Sequence, residues 1–318
     1  SMLPKIDLAI ASYRDPECQH TLRDLFSKAR HPERIFVGIC WQFVPEEDHD
    51  CFILPMPFPG HVRIKQVHAL ESRGVCWARA HTQSMWQGEE YVLQIDSHMR
   101  FEPGWDELLI GMHRQCPSEK SILTCYPPPY TQPDELSRND ISFMKAQHFD
   151  NDGILRLGGC NVPVAGAPEL PVLGAFCAAG FLFGKSQWIK DVPYDPYLYF
   201  YGEESTLAVR LWTHGWDIYY PNKLVIYHLY KPSGQERKKT HFADHRNWSV
   251  LNERSIARTL HMLGAAQSVD AAVIENIAYY GLGKVRSLEQ YQQWSGVDFK
   301  NRSLSEQATS GKAYQRAA

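Results

Sequence analysis

An aspartate and a histidine separated by one residue follow an apolar segment in the first third of the chain. The segment is YVLQI, and the chain continues as Asp96-Ser97-His98. In an extended backbone, residues two positions apart point the same way, so Asp96 and His98 can bind one cation. A carboxylate oxygen and a neutral imidazole suit Mn²⁺ or a similar divalent ion such as Mg²⁺. The alternative is an ordinary turn that ends a strand, since Asp and Ser are common in turns.

A third metal ligand is expected far from this pair in the sequence. His228 is the first candidate, because it interrupts the apolar segment LVIYHLY, which otherwise predicts a strand. A core histidine with satisfied hydrogen bonds is the alternative interpretation. His241 and His245, in a charged segment, are weaker candidates.

Two consecutive acids form a second candidate group. Glu203 and Glu204 follow the aromatic residues Phe200 and Tyr201 and precede a predicted helix, Ser205 to His214. Carboxylates at a helix N-terminus are stabilised by the helix dipole and can act as caps alone. Two acids beside aromatic side chains suited to a sugar pocket instead indicate that one of them faces a polar substrate.

The elements that would position these residues alternate between strands and helices. Apolar runs predict strands at Ile6 to Ala11, Arg34 to Trp41 and Val62 to Val67. Helical spacing predicts helices over Thr21 to Ala29 and Gly74 to Gly88, the second leading into YVLQI. Such a βαβ start predicts an α/β fold with a mostly parallel central sheet flanked by helices, and ligands at the carboxyl ends of its strands. The acid and imidazole pair lies at one such end.

The composition limits the class of protein. A chain of 318 residues with 44% hydrophobic and 22% charged residues can bury a large core, as one large domain or two modest ones. Its net charge of -3 gives no bulk attraction for nucleic acid or for an anionic membrane. No apolar run approaches the length of a bilayer span.

The eight cysteines include no C-x-x-C pair, and a domain of this size needs no disulfides. We therefore expect reduced, mostly buried thiols and no zinc site built from them. The expected location is the cytoplasm, with a removed N-terminal leader or anchor as the open alternative.

The order of these motifs resembles that of GT-A glycosyltransferases. Asp96-Ser97-His98 is similar to the D-x-H metal motif of retaining polypeptide N-acetylhexosaminyltransferases, and His228 falls where that family has its third metal-binding histidine. The mucin-type GalNAc-transferases continue with A-G-G and W-G-G-E-N segments, for which this chain has Ala178-Ala179-Gly180 and Phe200-Tyr201-Gly202-Glu203-Glu204. Three matched elements in the right order are harder to obtain by chance than one.

The chain is more similar still to the α-GlcNAc-transferase family that includes cytoplasmic enzymes modifying hydroxyproline on proteins in protists. The similar stretches, which together cover most of residues 5 to 299, are ASYRDPEC, HPERIFVGICWQ, ESRGVCWAR, QIDSHMRF, YFYGEE and YGLGKVRSLEQYQQWSGVDF.

This resemblance implies a set of residues that bind the donor. They are Ser12, Tyr13 and Arg14 around the nucleotide, Arg73 and Arg79 beside the uridine and diphosphate, and Ala179 and Gly180 at the sugar. The chain departs from the mucin-type pattern at Ala179 and Tyr201, where those enzymes have glycines. These departures leave GlcNAc versus GalNAc open.

The resemblance, together with the charge and apolar spacing along the chain, divides the sequence into four parts. We expect a GT-A catalytic core over residues 1–230, a mobile active-site loop over 231–245 and a C-terminal helical segment packed on the core over 246–299. Residues 300–318 are polar and are expected to form a disordered tail.

Motifs and resemblance together predict a metal-dependent, retaining glycosyltransferase that moves GlcNAc from UDP-GlcNAc to a hydroxyl, with a polypeptide as the expected acceptor. Asp96, His98 and His228 would bind Mn²⁺ or Mg²⁺, while Glu203 and Glu204 would orient the sugar or the acceptor. The alternatives are a transferase acting on a glycan or small molecule and a sugar-nucleotide-binding module without catalysis. A glucosyltransferase of modified DNA bases is disfavoured, because the sequence has no basic stripe. The sequence predicts no oligomeric state.

Overall fold

The computed structural model describes residues 2–232 and 239–316. The strands in these residues are β1 (Ile6–Tyr13), β2 (Ile35–Phe43), β3 (Val62–His68), β4 (Tyr91–Ile95), β5 (Met99–Phe101), β6 (Ser121–Thr124), β7 (Tyr130–Thr131), β8 (Glu135–Leu136), β9 (Asp140–Phe149), β10 (Leu155–Pro163), β11 (Val172–Gly174), β12 (Phe181–Lys185), β13 (Asp217–Tyr220), β14 (Ile226–His228), β15 (Val297–Asp298) and β16 (Ser303–Leu304). The α-helices are α1 (Cys18–Lys28), α2 (Val75–Gln83), α3 (Trp105–Gln115), α4 (Gln187–Asp191), α5 (Glu203–Thr213), α6 (His241–Asp244), α7 (Trp248–Met262), α8 (Ile277–Tyr280), α9 (Leu288–Ser295) and α10 (Glu306–Thr309).

An eight-stranded sheet with the order β11-β13-β6-β12-β4-β1-β2-β3 forms the centre of the fold. Strand β1 pairs in parallel with β2 and β4, and β2 pairs in parallel with β3. Strand β12 runs antiparallel to both of its neighbours, β4 and β6. All five residues of β4 are buried, as expected of a strand covered on both faces. The predicted α/β fold with a mostly parallel sheet is confirmed.

Two apolar cores cover the opposite faces of this sheet. Leu22 and Phe26 of α1 pack with Trp105 and Leu109 of α3 in one core. The other core contains the apolar side of α5 and the residues of the β9–β10 hairpin that face the sheet. Successive side chains of β4 alternate between the two cores, because a strand turns neighbouring residues to opposite faces.

A separate two-stranded sheet determines the position of the candidate metal ligands. Strands β5 and β14 pair antiparallel with His228 opposite Met99. The Leu229 amide also donates a hydrogen bond to the His98 carbonyl, with an N···O distance of 3.1 Å. This pairing brings two segments that are remote in sequence to the carboxyl end of β4.

The region after α7 differs from its sequence pattern. Apolar spacing over Val269 to Tyr279 predicts a helix, but only Ile277–Tyr280 is helical. The Asp270 side chain accepts a hydrogen bond from the Ala272 amide, which favours a turn, and Asn276 has a left-handed φ of 52°. These two local preferences interrupt the helix that the apolar pattern favours.

The expectation of a disordered tail is wrong for residues 300–316. Strand β16 pairs with β15, and α10 begins at a Ser305 N-cap. Tyr314 is buried, its hydroxyl donates to the Ser295 carbonyl at 2.8 Å, and its amide donates to the Leu173 carbonyl at 2.8 Å. One aromatic anchor therefore holds a segment whose polar composition suggested disorder. Residues 317 and 318 lie outside the described part of the chain.

The helical segment after residue 246 contacts the core through a buried ion pair. Arg258 of α7 donates to the Asp195 carboxylate at 2.7 Å, and both side chains are almost fully buried. Among the described residues, no helix combines the length and the apolar character needed to cross a membrane.

Candidate active site at the carboxyl ends of the parallel strands

A cavity of about 490 Å³ opens at the carboxyl ends of β1 and β4. The two strands are in parallel register with Ile10 opposite Ile95, so the residues that follow them emerge side by side. The cavity is also lined by the start of α5 and by the end of β14. The cavity therefore lies where the sequence predicts ligands to bind, at the carboxyl ends of the strands.

Asp96 lies at the centre of a polar network in this cavity. Its Oδ1 accepts a hydrogen bond from Arg79 Nη2 at 2.7 Å, and its Oδ2 lies 3.0 Å from His228 Nε2. Burial alone would raise the pKa of Asp96, but the hydrogen bond with His228 and the charge of Arg79 outweigh burial and hold that pKa well below its usual range. Asp96 is therefore an ionised carboxylate at neutral pH.

His98 is oriented by an acid that the sequence motif does not contain. Its Nδ1 lies 2.8 Å from Asp15 Oδ2, and the Ser97 hydroxyl donates to the same oxygen at 2.6 Å. Burial opposes ionisation of Asp15, yet the hydrogen bond with His98 lowers the pKa of this carboxyl. A carboxylate on Nδ1 keeps the proton on that nitrogen and directs the Nε2 lone pair elsewhere, as around metal-binding histidines.

The three candidate ligands are close enough to share one ion. The ligand atoms of Asp96, His98 and His228 lie within 4.8 Å of one another. Gly180 lies against this group, because a Cβ added there would come within 2.9 Å of Asp96 Cγ and closer still to Oδ2. The three ligand atoms are one carboxylate oxygen and two imidazole nitrogens. Asp15 and Arg79 orient them, and the backbone of Gly180 packs against them, so the group fits a divalent cation.

The acids Glu203 and Glu204 occupy the first turn of α5 but do not cap it. The N-cap is Gly202, and it makes no side-chain capping bond. Glu203 accepts hydrogen bonds from Arg79 Nη1 at 2.6 Å and from the Tyr194 hydroxyl at 2.7 Å. Both acids line the cavity. The capping interpretation therefore does not describe their contacts.

Glu204 makes a different set of contacts. It accepts hydrogen bonds from the Tyr126 hydroxyl at 2.6 Å and from the Ala179 amide at 2.8 Å. Removal from water raises the pKa of Glu204 to about 7; the charge of Glu203 adds to this effect, and the two hydrogen bonds oppose it. Glu204 can therefore exchange a proton near neutral pH.

The residues predicted around the nucleotide divide into two groups. Tyr13, Arg79, Ala179 and Gly180 line the cavity. Those outside its lining are Ser12, which is buried, Arg14, and Arg73, which is exposed just before α2. The structure thus brings together the metal-ligand candidates, the two acids and four of the seven donor-binding candidates.

Arg14 is occupied by acidic partners. Its guanidinium donates to Glu47 at 2.5 Å, to Asp48 at 2.8 Å and to Asp244 at 2.9 Å. The Tyr13 hydroxyl also donates to Asp244, at 2.6 Å. These contacts attach α6 to the end of β1.

The predicted mobile loop, 231–245, is described in part. Residues 233–238 lie outside the described residues. Lys239 forms an ion pair with Asp48 at 2.6 Å, and His245 Nε2 lies 2.8 Å from the Ala69 carbonyl oxygen. His241 lines the cavity, and its Nε2 lies 3.0 Å from the Ser72 carbonyl oxygen; among the described residues it is not part of the cluster of three candidate ligands. Mobility of this loop stays a prediction.

Sequence reasoning missed Asp15, Tyr126 and Lys239, all of which line the cavity. Asp15 could have been found, because it follows β1 and the carboxyl ends of paired parallel strands meet at one edge. Tyr126 and Lys239 carry no such pattern, since a proline-rich loop and a charged segment give no indication of which residue faces inward.

Comparisons with known proteins identify the family of the chain. A family model described as Glycosyltransferase (GlcNAc) matches residues 5–58 and 53–301. No curated protein matches the chain.

Solved structures are similar to this chain at low sequence identity. The crystal structure of GalNAc-T7 with UDP, GalNAc and Mn²⁺ is 12% identical, with a TM-score of 0.63 over 92% of this chain and 55% of that chain. The crystal structure of S. aureus TarS 1-349 is 11% identical, with a TM-score of 0.47 over 87% of this chain and 70% of that chain. This chain thus spans about half the length of the GalNAc-T7 chain. With a family model matched along most of its length and the fold expected of it, the chain belongs to the GlcNAc glycosyltransferase family and has the GT-A fold.

Proposed function

We propose that this protein is a metal-dependent transferase that moves GlcNAc from UDP-GlcNAc to a hydroxyl group of a polypeptide, with retention of the anomeric configuration. Family membership supports the transfer of a hexosamine. The resemblance of the D-x-H segment to retaining enzymes supports retention.

The charge around the cavity is the observation that carries the metal requirement. Four carboxylates and two cationic side chains line it, namely Asp15, Asp96, Glu203, Glu204, Arg79 and Lys239. Arg79 is already paired with Asp96 and Glu203, and Lys239 is paired with Asp48. A diphosphate entering this cavity would meet excess negative charge, so its binding needs an added cation.

Asp96, His98 and His228 are the residues that would hold this cation. When bound, a divalent ion supplies positive charge that stabilises the UDP leaving group. Asp15 keeps the His98 proton on Nδ1, and Arg79 holds Asp96 in place through one oxygen. We propose Mn²⁺ over Mg²⁺, because two imidazole ligands suit Mn²⁺ better than the strongly oxygen-preferring Mg²⁺.

The two acids would act on the sugar and the acceptor. Glu203 is held by Arg79 and Tyr194 and would orient a hydroxyl of the donor sugar. Glu204 lies between Tyr126 and Ala179, and its pKa of about 7 would let it accept a proton from the attacking hydroxyl. Glu203 and Glu204 are therefore the proposed catalytic residues, beside the donor contacts of Tyr13, Ala179 and Gly180.

We propose a reducing compartment, the cytoplasm, as the location. All eight cysteines are free thiols, and seven are buried. Unpaired cysteines are typical of proteins kept in a reducing compartment.

A donor screen tests the proposed function. Purified protein would be given UDP-GlcNAc, UDP-GalNAc or UDP-glucose with Mn²⁺, Mg²⁺ or a chelator, and UDP release would be measured. We expect UDP-GlcNAc hydrolysis that needs the metal, and a loss of about 10²-fold or more in Asp96→Ala. Asp152→Ala is the control, because Asp152 is an exposed turn residue. Metal-independent hydrolysis, or unchanged turnover in Asp96→Ala, would contradict the proposal.

A further inference from the structure

A second cavity lies next to the donor cavity. It has a volume of about 510 Å³ and lies between the segment 126–129, Tyr230 and the β9–β10 hairpin. We call this cavity the hairpin groove. Its volume lies within the range of specific ligand sites, which is roughly 300–1,000 Å³.

The hairpin groove adjoins the donor cavity. Tyr126, Pro127 and Tyr230 line both. The Tyr126 hydroxyl donates to Glu204 at 2.6 Å, so the shared wall carries one of the proposed catalytic acids. A molecule lying in the groove would thus present its end to the reacting centre, as an acceptor must.

The hairpin side of the groove includes two residues without side chains, Gly158 and Gly159, beside Leu157 and Asn161. The β9–β10 register shifts between Arg156 and Leu157, which interrupts the regular ladder just before Gly158 and Gly159. A Cβ added at Gly159 would meet the Ser142 hydroxyl at 3.0 Å, so a side chain there would crowd this wall. Among the described strands β10 pairs with β9 alone, and the unpaired edge of such a strand suits hydrogen bonds to the main chain of an extended peptide.

The charge of the groove limits which acceptors it can bind. Among the described residues that line it, Asp140 is the only charged one. Prolines 127 to 129 and the rings of Tyr126 and Tyr230 provide apolar walls of the kind that bind extended, proline-containing peptides. An acidic or phosphorylated acceptor would find no basic partner on these walls and would be repelled by Asp140.

We propose that the hairpin groove binds the acceptor as an extended polypeptide segment, through its main chain, and that Asp140 selects neutral or basic residues beside the modified hydroxyl. This assignment rests on the proposed function. It places the acceptor hydroxyl at the boundary formed by Tyr126.

The test compares transfer with hydrolysis in matched variants. Wild type, Asn161→Trp, Asp140→Asn and the control Asn151→Trp would receive UDP-GlcNAc and Mn²⁺ with threonine-centred synthetic peptides flanked by Lys or by Glu. Asn161 is an exposed residue that lines the groove, whereas Asn151 is an exposed residue of the turn after β9. Thermal melts would confirm that each variant is folded.

We expect the ratio of peptide transfer to UDP-GlcNAc hydrolysis to fall at least tenfold in Asn161→Trp and to stay unchanged in Asn151→Trp. Wild type should prefer Lys-flanked over Glu-flanked peptides, and Asp140→Asn should lose that preference. A folded Asn161→Trp variant with the wild-type ratio would overturn the proposal, as would transfer to a chitobiose acceptor but to no peptide. A wild-type protein that hydrolyses no UDP-sugar would instead remove the proposed function, and the groove assignment with it.

Discussion

Replacing Gly180 by alanine should disable the metal site without changing any charge. Gly180 follows Ala179 in the turn that enters β12, beside the carboxylate of Asp96. An added Cβ would stand 2.9 Å from Asp96 Cγ. Non-bonded carbon atoms prefer a separation of about 3.5–4.0 Å, so the carboxylate must move by roughly 0.5–1 Å.

That displacement sets the size of the expected effect. A misplacement of about 1 Å in a catalytic constellation can cost on the order of 10²-fold in rate. Crowding of a packed site costs about 1–3 kcal/mol of unfolding free energy, which is smaller than the stability of most domains. We therefore expect a folded protein whose metal-dependent UDP-GlcNAc hydrolysis falls about 10²-fold.

The assay is a Mn²⁺ titration of UDP-GlcNAc hydrolysis beside a thermal melt. The matched control is Gly60→Ala, because a Cβ at Gly60 would meet no atom within 4 Å. Gly180→Ala should need more Mn²⁺ and reach a lower maximal rate, whereas Gly60→Ala should match wild type. A Gly180→Ala protein with the wild-type Mn²⁺ titration and rate would refute the placement of the metal against this backbone.

Three further predictions concern other residues. His228→Ala should weaken Mn²⁺ binding in calorimetry at least about tenfold with little change in apo melting temperature; a loss of about 1–3 kcal/mol with normal Mn²⁺ titration would indicate a structural histidine instead. Glu203→Gln should lower kcat by about 10²-fold or more with donor binding mostly kept, and Glu204→Gln should lower kcat as much, because it removes the proposed proton acceptor; near-normal kcat in either variant would remove that acid from the catalytic residues. Asp7 is buried with no hydrogen-bond partner for either carboxyl oxygen among the described residues, and burial, reinforced by Glu89, raises its pKa to about 7. The folded state therefore holds this proton to higher pH than the unfolded chain, so stability should fall as pH rises from about 4 to 7. In denaturant titrations, the unfolding free energy of Asp7→Asn should fall less with rising pH than that of wild type. Identical pH profiles for the two proteins would contradict the raised pKa of Asp7.

Much of the fold was predictable from apolar periodicity. Strands β1, β2 and β4 are mostly apolar, as expected of strands that are buried on both faces. The helix predicted over Val269 to Tyr279 does not form over most of this range. Apolar spacing carries no information about local side-chain hydrogen bonds such as that of Asp270. The tail was expected to be disordered but is ordered, because the average composition of a segment does not show the effect of a single anchoring residue such as Tyr314.

The candidate site was predictable where chemistry is local and unpredictable where it depends on packing. The Asp96 and His98 pair is adjacent in sequence, so its potential for metal binding is visible there. The ion pairs of Arg14 are not visible in the sequence, because Glu47, Asp48 and Asp244 reach its guanidinium only in the folded chain. The resemblance predicted that Arg14 contacts the nucleotide, and this stays a prediction; the structure adds that Arg14 joins α6 to the end of β1.

The pairing of β5 with β14 has a consequence for how the protein folds. Asp96 and His228 lie 132 residues apart along the chain, yet their side chains are within hydrogen-bonding distance. Contacts of such large sequence separation close late, because the loop entropy is lost before the contact contributes energy. During refolding, the circular dichroism signal of the helices should return before enzymatic activity does. Recovery of activity therefore reports the formation of the long-range β5–β14 pairing, whereas recovery of helix content reports only earlier, local folding.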